Sequence, residues 1–139
     1  MSDKSYNTNL ASEFYVLSIL HRLGADAMLT LGNKKSVDIA VVRSAGNSVT
    51  VDVKGLAGKT SWPVDNVKDP KDNHFLVFVC YRGKIADVNA APDVWVIPSD
   101  RLDSLIRKAP GGRKVVQLKK LVEEGKEFKG DWKRIIGRP

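Results

Sequence analysis

The chain is poor in cysteine: Cys80 is its only one, so no internal disulfide and no cysteine metal cluster can form. Cys80 sits in an apolar run and reads as a buried, inert thiol. No stretch approaches the roughly 18 consecutive apolar residues that a membrane-spanning helix needs. The polar start, MSDKSYNTN, lacks the pattern of a secretory signal, and the expected compartment is the cytoplasm. There is no internal repeat and no long linker. The 139 residues, 42% of them hydrophobic, are expected to form one domain over 1–139. One phosphate-loop echo fails on spacing. Gly55, Gly58, Lys59 and Thr60 carry the letters, but Gly58 is too close to Gly55, and no helix-forming segment follows.

What the chain has in excess is positive charge, and it is localised. The net charge is +7. Residues 1–100 hold 11 basic and 11 acidic side chains, whereas residues 101–139 hold 12 and 5. A basic segment on a neutral body suits a polyanion, and nucleic acid is the expected partner. Within it, Lys119, Lys120, Lys126, Lys129, Lys133 and Arg134 are candidate phosphate contacts. Lys59 and Trp62, in the polar stretch 55–61 and its exit, are further candidates for nucleic-acid contact. Trp95 and Trp132 read as core.

The informative stretch is 37–55, VDIAVVRSAGNSVTVDVKG. It alternates as two strands around a turn. Val49, Val51 and Val53 share one face, and Thr50, Asp52 and Lys54 share the other. Pairing Asp38 with Lys54 leaves a three-residue loop, Ala45-Gly46-Asn47, and sets Asp38 on the face of Asp52 and Lys54. An even-numbered loop would send Asp38 to the opposite face. Two carboxylates and a lysine on one face suit metal-assisted phosphodiester cleavage. Mg²⁺ or Mn²⁺ takes oxygen ligands, lowers the pKa of bound water and offsets charge on phosphate.

The remaining pattern predicts a mixed sheet. Residues 8–23 read as a helix capped by Thr8 or Asn9 and ended by Gly24, with Leu10, Phe14, Leu17 and Leu20 as its apolar stripe. Glu13 falls inside that stripe and needs a polar partner or a cleft. His21 reads as a packed or edge histidine. Ala27–Leu31 is a strand, Gly32–Lys35 a turn, and residues 55–61 a loop. HFLVFVCY at 74–81 is a central strand buried on both faces, and 93–97 is another. Residues 100–107 read as a helix capped by Ser99. Val115–Leu121 reads as a short strand or turn, and 126–136 as a broken helix. The expected class is α/β, a mixed central sheet flanked by helices.

Glu13 on a helix, Asp38 on a strand and Asp52-x-Lys54 on the next together resemble the PD-(D/E)XK nuclease superfamily. Gly55, Trp62, the FLVFVCY strand, VWVIPSDRL and Trp132 are similar to its small members. The resemblance implies a restriction-endonuclease-like core and Mg²⁺- or Mn²⁺-dependent endonuclease activity on nucleic acid, DNA in particular. It implies that Glu13, Asp38 and Asp52 hold the metal and Lys54 positions the attacking water. It also implies a homodimer, the common device for cutting two strands. Val37 stands where the family has proline, and residues 55–73 lack the glutamine-bearing helix of the exonuclease branch. The competing expectation is a non-catalytic nucleic-acid-binding or protein-interaction module on the same fold.

Overall fold

Valine at alternate positions makes 48–56 a strand with one wholly apolar face, and the sheet is built outward from it. A computed structural model describes residues 7–30, 38–67 and 69–137. The chain runs α1 (Thr8–Arg22), β1 (Asp26–Leu29), β2 (Ile39–Val42), β3 (Ser48–Leu56), β4 (Ser61–Pro63), β5 (His74–Cys80) and β6 (Asp93–Pro98). It continues through two 3₁₀ turns to β7 (Ile106–Lys108), β8 (Lys114–Gln117), α2 (Leu118–Glu124) and α3 (Lys133–Ile136). The protein is a mixed α/β structure with two sheets. The five-stranded sheet has the order β1-β2-β3-β5-β6, and the three-stranded sheet has the order β4-β8-β7. In the large sheet only β3 and β5 run parallel.

Each face of the large sheet has its own core. Val49, Val51 and Val53 join Val77, Val79 and Val96 under Val16 and Leu20 of α1 and Ile135 of α3. Leu76, Phe78, Trp95 and Ile97 pack on the other face against Trp62, Val116, Leu121 and Phe128. Every residue of β5 is buried, as its unbroken apolar run predicts.

Two parallel strands need a long crossover. The crossover from β3 to β5 leaves the large sheet, forms β4 against β8, and returns. Along it, Pro63, Asp65 and Asn66 come to line the same pocket as Asp52 and Lys54.

Several expectations are corrected. The buried stripe of α1 is Ser12, Val16 and Leu20, while Leu10 and Phe14 are about half exposed, at 48% and 52%. Gly55 explains the rotation. A Cβ on it would lie 2.3 Å from Ser12 Oγ and 3.0 Å from Thr8 O, so α1 presents a small side chain where β3 comes close. The helix starts after Asn7 without a side-chain cap; Gly24, at φ 81°, follows its end as expected. Residues 100–107 form no α-helix. Leu102 and Leu105, three apart, are buried by 3₁₀ turns, and Ile106 is drawn into pairing with Val116. The stretch after Lys54 stays in β3 to Leu56, and Trp62 lies in β4. Strand β8 ends at Gln117 and α2 begins at Leu118, where a single strand or turn was expected. The broken helix is a 3₁₀ turn at Lys126–Phe128 followed by α3. The turn expected at Gly32–Lys35 lies outside the described residues.

Candidate active site

The β2–β3 register decides which groups meet. Ile39 pairs with Val51 and Val42 with Ser48, leaving a five-residue loop at 43–47. The expected three-residue loop is thus corrected by two residues. The loop stays odd-numbered, so no side chain changes face. The consequence is chemical: Asp38, just before the Ile39–Val51 pair, donates its N–H to Val51 O at 2.8 Å instead of pairing with Lys54, and its carboxylate lies within hydrogen-bonding reach of Asp52. The hairpin is held at its turn by Arg43 N–H donating to Asn47 O and Gly46 N–H donating to Arg43 O.

Asp38 stands where β2 begins. Its Oδ2 accepts the Val53 N–H at 2.7 Å, taking the place of a strand carbonyl. The Asp38 carboxylate is thereby fixed beside Asp52. Asp52 is buried, at 7% exposure. Burial first, and then a hydrogen bond with Asp38, push the Asp52 carboxyl up to about 7, against a smaller lowering by Lys54. Lys54 Nζ lies 3.9 Å from Asp52 Oδ2 and donates to Asn66 Oδ1 at 3.3 Å. Glu13 reaches the same place from α1, and burial followed by the charge of Asp38 raises its pKa.

These groups line one cleft of about 450 Å³. Glu13, Asp38, Asp52 and Lys54 line it together with Pro63, Asp65, Asn66 and Arg113. Arg113 is held by Asp65, whose Oδ2 accepts from its Nε and Nη2 at 3.2 Å each. The other Asp65 oxygen accepts the Lys114 N–H at 2.7 Å. The cleft thus lies along the second half of β3, between α1 and the segment that carries β4.

The four chemical residues expected from the sequence come together. Of the expected nucleic-acid contacts, Trp62 lines the same cleft and the others do not. Trp62 is 1% exposed, stacked edge-on against Phe78 and Trp95, with its indole N–H on Val79 O. It lines the cleft as a core residue. Lys59 is exposed in the loop before β4 and is not among the cleft's walls. Lys133 and Arg134 lie on α3, whose last carbonyls are held by Arg43, Nε to Ile135 O at 2.9 Å and Nη2 to Arg134 O at 2.6 Å. Arg43 is five extended residues, roughly 16 Å, from Asp38. Lys129 lies over Trp95 on the edge strand β6, paired with Asp93 at 3.5 Å. Lys120 is bound to Glu124, and Arg134 to Asp131 and Glu127. Lys119 and Lys126 are exposed. The sequence reading missed Asp65, Asn66 and Arg113, because β4–β8 pairing brings them to the cleft and no local pattern encodes it.

The donor set fits a hard divalent cation. Two carboxylates crowded into hydrogen-bonding reach favour sharing a proton, and a cation satisfies the same crowding more fully. Among the described residues no three acidic, histidine or cysteine side chains form a protein-only cage. Mg²⁺ does not require one, since it is commonly bound by one or two carboxylates plus water and substrate phosphate.

A solved structure of a bacterial homing endonuclease, I-Ssp6803I, superposes with a TM-score of 0.57. The match covers 98% of this chain and 94% of that one, at 14% identity. The two chains share a fold. No family model matches the sequence, and no curated protein matches it.

Proposed function

We propose that this protein is a metal-dependent endonuclease of the PD-(D/E)XK type that hydrolyses phosphodiester bonds in DNA. One observation carries the reading: the Asp38 and Asp52 carboxyl groups lie within hydrogen-bonding reach of each other where β2 begins, with Lys54 beside Asp52 and Glu13 in the same cleft. The fold shared with a homing endonuclease supports it.

Asp38 and Asp52, with Glu13 beside them, would hold Mg²⁺ or Mn²⁺, which supplies an acidified water and charge compensation at the phosphate when bound. Lys54 has three N–H donors. Asn66 takes one and Asp52 draws another, which leaves a third to orient the attacking water or steady a phosphate oxygen. Arg113 has five donors and spends two on Asp65, so its remaining N–H groups can take phosphate oxygens across the cleft.

The test is a cleavage panel of duplex, branched and single-stranded DNA and RNA with Mg²⁺ or Mn²⁺. Metal-dependent cutting by the wild type, abolished in Asp52→Asn, is the expected result. A wild type that cuts no substrate, yet binds nucleic acid with or without these side chains, would leave a binding module on this fold.

A further inference from the structure

The basic groups of the C-terminal third are not equally free. Arg101, Lys120, Lys129 and Arg134 each meet an acid. The hairpin of β7 and β8, residues 106–114 with sequence IRKAPGGRK, carries four cations and no acid. Arg107, Lys108 and Lys114 are exposed; Arg107 and Lys108 form no ion pair among the described residues, and Lys114 meets Asp65 through its backbone N–H and the nearby charge. Arg113 is bound to Asp65 but keeps 66% of its side chain exposed.

The register puts Lys108 directly opposite Lys114. Like charges in a cross-strand pair are destabilising unless something neutralises them. Arg107 and Arg113, at alternate positions, fall on the other face. The ribbon is therefore cationic on both faces. Its tip extends past the last β4 pair, Pro63 with Val115. It is closed by Gly111 and Gly112 at φ 83° and 81°, and a Cβ on either would meet nothing within 4 Å. The tip stands clear of the protein. Its root is the cleft, through Arg113.

The geometry points to the β7–β8 hairpin as a duplex-binding ribbon that enters the major groove beside the cleft. A groove has a phosphate wall on each side, and a ribbon cationic on both faces matches two walls where a one-faced patch matches one. The major groove, about 12 Å wide, admits a two-stranded ribbon. Lys108, Lys114 and Arg107 contact the walls, and Arg113 meets the phosphate nearest the carboxylates. This assignment rests on the proposed function only in taking nucleic acid as the ligand.

The test is binding of a fluorescein-labelled DNA duplex in Ca²⁺, which removes any dependence on cleavage. Arg107→Gln with Lys108→Gln is compared with Lys126→Gln with Lys133→Gln, and melting curves confirm that both variants fold. The hairpin variant is expected to bind on the order of tenfold more weakly and to flatten the log–log salt slope by about 2 units. The major-groove dye methyl green is expected to displace wild type, and the minor-groove ligand distamycin is not. Equal affinity and slope for wild type and the hairpin variant, displacement by distamycin alone, or no duplex binding by wild type each overturn the assignment. Loss of binding in the hairpin variant without metal-dependent cleavage by wild type supports the ribbon while removing the nuclease reading.

Discussion

The two ends of the β2–β3 pair differ in how they treat charge. At the turn, Arg43 gives its guanidinium N–H groups to two carbonyls at the end of α3, so a cation meets the negative end of a helix. At the other end, Asp38 and Asp52 face each other with one amide, one lysine and limited access to water. The first end is built for its own stability. The second crowds two carboxyl groups together, which is what the proposed cation site requires. One hairpin thus separates stability from function by the length of a strand.

The largest effect expected to sharpen this contrast is on rate. Lys54→Ala should lower metal-dependent cleavage by about 10²–10³-fold, the usual loss for one preorganised contact. Duplex binding in Ca²⁺ should persist, because the carboxylates remain. Equal losses of binding and cleavage would instead make Lys54 a simple anchor for nucleic acid. At the same end, Gly55→Ala should destabilise by about 2–3 kcal/mol in urea unfolding, since a Cβ would press on Ser12 and the Thr8 carbonyl. It should also displace Glu13, so the residual rate should fall beyond what lost folded protein explains. A stable, fully active Gly55→Ala protein would show that α1 need not be held so closely.

The sequence made the chemical end more legible than the architecture around it. The alternation of Val49, Val51 and Val53 put Asp52 and Lys54 on one face, and any odd-numbered loop put Asp38 there too. Period two survives a slip of two residues, so the faces were readable although the register was not. The α1 stripe was misread because hydrophobicity favoured Leu10 and Phe14, whereas contact with Gly55 selects Ser12. The second sheet left little trace. Its strands have three or four residues, and Trp62 in S-W-P looks like loop until β8 covers it. Charge counting points to 119–134 as a block, because a sequence does not reveal that Lys120, Lys129 and Arg134 have found an acid while Lys119, Lys126 and Lys133 form no ion pair among the described residues.

At the turn, Arg43→Ala should cost about 2 kcal/mol in unfolding free energy, from two lost charge-assisted hydrogen bonds to carbonyls. Cleavage per folded molecule should hardly change, because the site is a strand's length away. A large rate defect with little loss of stability would erase the proposed division between the ends.

The smallest effect has the opposite sign. The raised Asp52 pKa means that the folded, metal-free protein holds a proton that the unfolded chain has released. Between the ordinary carboxylate value near 3.8 and about 7, the native state binds more protons than the unfolded state. Its stability from this group therefore falls as pH rises through that window. Asn at position 52 is neutral at every pH and can donate to Asp38 as the protonated acid does. In EDTA at pH 8, Asp52→Asn should stabilise by about 1 kcal/mol, and the gain should shrink toward pH 4. The same substitution should abolish metal-dependent cleavage. Thermal melts across pH with and without Mg²⁺ read both sides of this exchange: Mg²⁺ should raise the wild-type Tm at pH 8 and leave Asp52→Asn nearly unmoved. If Asp52→Asn is destabilising in EDTA at pH 8, the buried carboxylate is satisfied by the protein itself, and the two ends of the hairpin do not differ as argued.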